Sequence, residues 1–378
     1  MLILLFSIAC LNTNTSDTTL PTRLHGWSFH ATIGLGRIVP HTWRFKPQVE
    51  GTYQSAEFSV AYQTRGVRPW QWDYRYPKVG LAMLVSKLGN DAVLGNGAAV
   101  FPFVELPLAG WKHQSTQERG WALTFRFGSG FAWLSRWYNP ETNPQNNVIA
   151  APINNITQFQ FSARYRLTPR WEMALNTTLT HYSSGAVRLP NLGINVPEVR
   201  LSAAWQPRPW LTHHFHQPQP LKPPEGFTGQ LQFVLGFQEI DPPNGPIYHL
   251  YGAEFTAGRW LGRKQILSIG AVGHFKESSW TIVRQNGLYQ DKFFLRSVAF
   301  APLVRDDIVI GNVGVALIMG YYVYTPSPEQ IKFFQRIGWY YSIPLRKNEY
   351  VKRLSFGVYL TAGSFSADYV STELGWRF

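Results

Sequence analysis

His181 and Ser183 stand two residues apart in the segment Arg170-Trp-Glu-Met-Ala-Leu-Asn-Thr-Thr-Leu-Thr-His-Tyr-Ser183. Side chains alternate between the two faces of an extended strand, so residues i and i+2 are close neighbours on one face. An imidazole beside a hydroxyl can take the serine proton and ready the oxygen for attack on an ester carbonyl. Val199, Leu201, Ala203 and Trp205 form the apolar face of the following segment, and extending that parity backward puts Asn195 on the side of His181 and Ser183. Glu198 falls on the opposite side and is a poor triad acid. An asparagine oxygen can hold a histidine tautomer but offers no charge to stabilise imidazolium. Slower chemistry than with a carboxylate is therefore expected.

A strand has to position these residues, and the segment reads as one. Trp171, Met173, Leu175, Thr177 and Leu179 make a largely apolar face, and Glu172, Asn176, Thr178 and Thr180 a polar one. A histidine on the apolar face of a membrane strand is costly and calls for a function. Similar segments recur along the chain near 26–36, 52–64, 78–88, 94–105, 119–133, 156–167, 170–183 and 196–206. A second set lies near 227–239, 247–258, 264–275, 291–302, 308–323, 331–343, 352–362 and 367–378. Most are close to the length of a tilted membrane strand, roughly 10 residues. No segment reads as an amphipathic helix, and Asp306-Asp307 falls on a predicted turn. Trp70, Trp72, Tyr74 and Tyr76, at alternate positions, read as an interfacial aromatic girdle.

Composition agrees with this reading. Aromatic residues make up 15% of the 378-residue chain and charged residues only 15%. Beyond the N-terminus no apolar run approaches the ~20 residues of a transmembrane helix. The last strand alternates Val370, Thr372, Leu374, Trp376 and Phe378 with Ser371, Glu373, Gly375 and Arg377, and its terminal aromatic resembles the closing strand of outer-membrane barrels. The expected fold is an all-β antiparallel transmembrane barrel of about 14–16 strands from two diverged halves, closing as one barrel or two. Residues 1–19 read as a signal peptide and polar segment, 20–207 as the half carrying the site, 208–226 as a Pro/His-rich linker and 227–378 as a degenerate second half. Three matches suggest duplication: Val93-Leu-Gly-Asn96 with Val309-Ile-Gly-Asn312, Arg126-Phe-Gly128 with Arg336-Ile-Gly338, and Val199 to Trp205 with Val370 to Trp376. The net charge of +13 suits anionic partners, but no dense Lys/Arg block points to nucleic acid. Cys10 is the only cysteine, which rules out an intrachain disulfide.

The run His181-Tyr-Ser-Ser-Gly-Ala-Val-Arg-Leu-Pro-Asn-Leu-Gly-Ile-Asn195 resembles the lipid A 3-O-deacylase family, the acyloxyacyl hydrolases of the outer membrane. The resemblance is clearest from about Asn139 to Trp205. It implies an eight-stranded barrel half, lipid A or lipopolysaccharide as substrate, no cofactor or metal, His181 as base and Ser183 as nucleophile. It further implies Asn191 and Gly193 at the oxyanion hole. Asn195 stands where the family's small members carry glutamate, and Ser184 where asparagine is usual. In the second half Leu360-Thr-Ala362 aligns with Leu179-Thr-His181, so a second site is not expected.

Two other readings compete: a non-enzymatic barrel, pore or structural protein, keeping a decayed site, and a soluble β-rich binding protein. His213-His-Phe-His216 reads as polar linker rather than a metal site.

Overall fold

The computed structural model describes residues 24–110, 119–219, 221–287, 294–325, 332–345, 352–363 and 366–378. The expected signal peptide and Cys10 lie outside these residues. The described chain forms sixteen strands in two closed antiparallel barrels of eight. The first contains β1 (Trp27–Gly36), β2 (Tyr53–Gln63), β3 (Lys78–Lys87), β4 (Asn96–Gly110), β5 (Gly120–Leu134), β6 (Ile153–Thr168), β7 (Trp171–Ser183) and β8 (Ile194–Trp205). The second contains β9 (Phe227–Gln238), β10 (Tyr248–Leu261), β11 (Gln265–Lys276), β12 (Val298–Ile310), β13 (Val313–Tyr321), β14 (Phe333–Pro344), β15 (Arg353–Gly363) and β16 (Ser366–Arg377). β1 pairs with both β2 and β8, and β9 with both β10 and β16, so neither barrel has a free edge. In hydrocarbon an unpaired edge would strand backbone donors and acceptors, which closure avoids.

Alternation decides which side chains face out. Ile33, Phe131 and Ile269 point outward at 67%, 69% and 68% exposure, while the intervening polar residues fill the lumen. In the first barrel Glu57 accepts from Arg126 at 2.7 and 3.0 Å and from Arg200 at 2.9 Å, all three buried. In the second, Arg305 reaches Asp307 at 2.8 and 2.9 Å, and Arg336 links Glu254 and Glu373. Charges survive in such a place because each is paired and hydrogen-bonded. At one end of the first lumen the filling turns apolar: Ile38, Tyr53, Leu88, Leu94, Val148, Ile149, Ile156, Tyr182 and Ile194 form one buried cluster.

Several expectations need correction. β12 runs to Ile310 and β13 begins at Val313, several residues later than predicted. Asp307 is therefore a buried lumen residue beside Arg305 rather than part of a solvated turn, and Asp306 accepts from Gln265 at 2.9 and 3.0 Å. Among the described residues are two short α-helices, α1 (Pro69–Asp73) and α2 (Glu277–Gln285). Trp70 and Trp72 lie on α1 and Tyr74 and Tyr76 just after it, so their alternation is not that of a membrane strand. The Tyr74 hydroxyl donates to the Val309 carbonyl at 3.0 Å, and the Tyr76 hydroxyl to the His216 carbonyl at 2.9 Å. They join the first barrel to the second and to the linker. The sequence matches divide as well. Val199–Trp205 and Val370–Trp376 occupy the eighth strand of each barrel, but Arg126 and Arg336 lie on the fifth and the sixth. Val93–Asn96 precedes a fourth strand, whereas Val309–Asn312 precedes a fifth.

Candidate active site

β7 and β8 carry the candidate residues on neighbouring strands. His181 is the direct cross-strand partner of Asn195, and Tyr182 of Ile194. Tyr182 points inward between His181 and Ser183, where its hydroxyl meets that of Tyr53 at 2.9 Å. That inward anchor fixes the outward direction of its two neighbours. On the outward face below them, Trp171, Met173, Leu175 and Leu179 are exposed, so the site tops an apolar strip. Glu198 faces the lumen, where it accepts from Ser55 at 2.6 Å and Thr180 at 2.9 Å.

The imidazole of His181 is oriented by one short bond. Its Nδ1 lies 2.6 Å from Asn195 Oδ1. A carboxamide oxygen only accepts, so Nδ1 carries the proton and Nε2 keeps its lone pair. The other end of the same amide is also occupied: Asn195 Nδ2 donates to Nδ1 of His41, at 3.3 Å. His41 lies in the connection between β1 and β2, and the sequence reading did not single it out. Gly193, at φ +75°, packs against the ring: a Cβ there would come within 2.8 Å of His181 Cε1. Any side chain at 193 would push the imidazole off Asn195.

Ser183 is held from the loop between the strands. Ser184 N–H donates to Asn191 Oδ1 at 2.9 Å, which leaves Asn191 Nδ2 facing Ser183 Oγ at 3.0 Å. Gly185 N–H also donates to Ser183 Oγ, at 3.0 Å. Two donors thus converge on the serine oxygen, one from a side chain and one from the backbone. Among the described residues no hydrogen bond joins His181 to Ser183; before substrate arrives such contacts are commonly long and tighten in the reacting complex. The N–H of Gly193 donates to the Val148 carbonyl at 3.0 Å, so Gly193 is not available as an oxyanion donor. Its N–H is committed to the packing of the 135–152 connection, and the loop N–H that reaches Ser183 Oγ is that of Gly185. The tight turn needs Gly185 at φ +65° and Ala186 at φ +64°. For alanine that left-handed conformation costs about 1 kcal/mol.

Among the described residues the second barrel shows no counterpart. Ala362 stands at the position equivalent to His181, near the end of β15, and the β15–β16 turn lies outside the described residues. In the linker, the rings of His213 and His214 lie 4.0 Å apart at a tilt of 41°, and His214 lies against Trp210.

The geometry can be set beside known proteins. The lipid A 3-O-deacylase (PagL) family model matches residues 56–204, and the model for the acyloxyacyl hydrolase C-terminal domain matches residues 227–378. Between them the two spans take in most of the chain, and the first includes His181, Ser183, Asn191 and Asn195. Among solved structures, the outer membrane enzyme PagL is similar over 46% of this chain and 97% of its own, at 11% identity and a TM-score of 0.33. Neisserial surface protein A is similar over 48% of this chain and 97% of its own, at 7% identity and a TM-score of 0.30. No curated protein matches the sequence.

Proposed function

The chain belongs to the lipid A 3-O-deacylase family of outer-membrane barrels, and from that premise we propose that it hydrolyses a fatty-acyl ester of lipid A with Ser183 as nucleophile and His181 as base. The observation that carries the reading is the 2.6 Å bond from His181 Nδ1 to Asn195 Oδ1 on the outward face of the wall, beside Ser183. It leaves Nε2 unprotonated, the state a general base requires.

In the proposed reaction His181 Nε2 takes the Ser183 proton as Oγ bonds to the ester carbonyl carbon. The carbonyl π electrons move to oxygen, and Asn191 Nδ2–H with Gly185 N–H stabilises that oxyanion. Collapse breaks the bond to the sugar oxygen, which leaves with the proton from Nε2. Water then attacks the acyl-serine carbonyl as Nε2 takes one of its protons; collapse breaks the bond to Ser183 Oγ, which recovers that proton from Nε2 as the fatty acid leaves. Asn195 keeps the ring in place throughout. With the chain N-terminus on the periplasmic side, odd strands run outward, so β7 ends at the leaflet that holds lipid A. No step requires a metal or cofactor.

The test is mass spectrometry of lipid A incubated with purified full-length protein in detergent. Wild-type protein is expected to remove one acyl chain, and Ser183→Ala to lower the rate by about 10³-fold or more. Identical lipid A spectra with the two proteins would falsify the hydrolase reading.

A further inference from the structure

The loop that carries the oxyanion donors is fastened to the other barrel. Ala186, in its left-handed conformation, accepts the N–H of Glu239 at 3.0 Å. The Glu239 carboxylate in turn accepts the Leu189 N–H at 2.5 Å. Arg188 donates to the Gly245 carbonyl at 3.0 Å and lies 3.5 Å from Glu239 Oε1. Gly185 packs against the wall of the second barrel, where an added Cβ would approach Val370 Cγ2 to 2.3 Å and Leu360 Cδ1 to 3.2 Å. Four residues of the loop, 185, 186, 188 and 189, thus meet residues from β15, β16 and the β9–β10 connection. Glu239 is only 3% exposed.

Leu360 and Val370 belong to β15 and β16, the seventh and eighth strands of the second barrel. In the first barrel those two strands carry the site. The corner of the second barrel that lacks the histidine therefore abuts the working loop of the first.

We infer that the second barrel is a brace for the catalytic loop, with Glu239 as its positioning residue. Glu239 touches none of the reacting groups. It holds both ends of the Ala186–Leu189 turn, and that turn sets where Gly185 N–H and Asn191 point relative to Ser183. A donor displaced by about 1 Å is enough to cost two orders of magnitude in rate. The inference rests on the hydrolase reading for its catalytic consequence, but the brace itself can be observed without turnover.

The experiment compares wild type, Glu239→Ala and Glu239→Gln as full-length protein in detergent. Two quantities are read: amide hydrogen exchange over residues 184–190, and kcat and KM on purified lipid A. Glu239→Ala should speed exchange in that segment and lower kcat about 10- to 100-fold, with KM changed by less than about twofold. Glu239→Gln keeps an acceptor for Leu189 N–H and should stay within about threefold of wild type in kcat. Unchanged exchange in Glu239→Ala, or faster exchange with an unchanged kcat, overturns the positioning role. If wild-type protein does not cleave lipid A, the hydrolase reading falls by itself. Exchange then decides the brace: faster in Glu239→Ala supports it, unchanged removes it. Glu239→Asp, which keeps the charge but shortens the reach, carries the same comparison if Glu239→Ala does not fold.

Discussion

An amide at position 195 orients an imidazole without offering it a counter-charge. In the resting site that is sufficient, because Nδ1–H needs only an acceptor. In the proposed transition state the ring becomes cationic, and a neutral oxygen stabilises it far less than a carboxylate. Asn195→Asp replaces one acceptor oxygen by another on the same side-chain length, so it should raise kcat on lipid A about 10-fold or more. A kcat that falls or stays level in Asn195→Asp would show that the ring does not acquire charge there. His41 bears on the same atom set: by accepting from Asn195 Nδ2 it fixes which end of the amide faces His181. Parity along β7 and β8 made His181, Ser183 and Asn195 legible in the sequence, since strand direction alone decides which face each occupies. His41 and Gly185 N–H were not legible. One is brought in by a long connection and the other is a backbone group, and neither leaves a pattern of period two. Gly193 shows the converse, a glycine whose N–H is committed to Val148 by packing no local pattern encodes.

At the scale of elements, alternation was read well where it was clean and misread where the lumen is charged. The lumen face of β12 includes Arg305 and Asp307, and a run of charged residues reads as a turn unless their partners are known. Those partners come from other strands, Glu254 on β10 and Gln232 on β9 among them. The aromatic run at 70–76 was misread for a related reason. Alternate aromatics suit a strand, but here Pro69 opens a helical turn and the rings seat between barrels and linker. Paired lumen charges also set stability. Arg336 bridges Glu254 and Glu373, so Arg336→Ala would leave two buried carboxylates without that partner. A loss of about 3–5 kcal/mol is expected, read as an earlier unfolding transition of the second barrel in urea and detergent. Arg336→Ala unfolding together with wild type would mean that the lumen relaxes enough to hydrate both acids.

On the scale of the molecule, two barrels of eight are a different object from one of sixteen. A closed barrel of about eight strands has an interior that side chains can fill, whereas one of about sixteen leaves a water channel. Both lumens here are occupied, the first by the Glu57–Arg126–Arg200 group beneath an apolar cluster, the second by Arg305, Arg336 and their acids. The protein should therefore give no steady single-channel steps in a planar bilayer; stable conductance there would restore the pore reading. Sequence could not choose between one barrel and two, because period two is the same in both. The choice is made by which strands pair, and the link from β1 to β8 lies across some 170 residues of chain.

Phe378 is part of a seam. Phe378 and Gly229 exchange two backbone hydrogen bonds, at 2.8 and 2.9 Å, where β16 meets β9. Every stave of the first cylinder precedes the linker and every stave of the second follows it, so the seam at Phe378 closes a cylinder that shares no strand with the one bearing the site. A cut within the linker should therefore part no hydrogen-bonded strands in either cylinder, leaving the contacts of Glu239 with Ala186 and Leu189 among those that keep the prop against the loop beside Ser183.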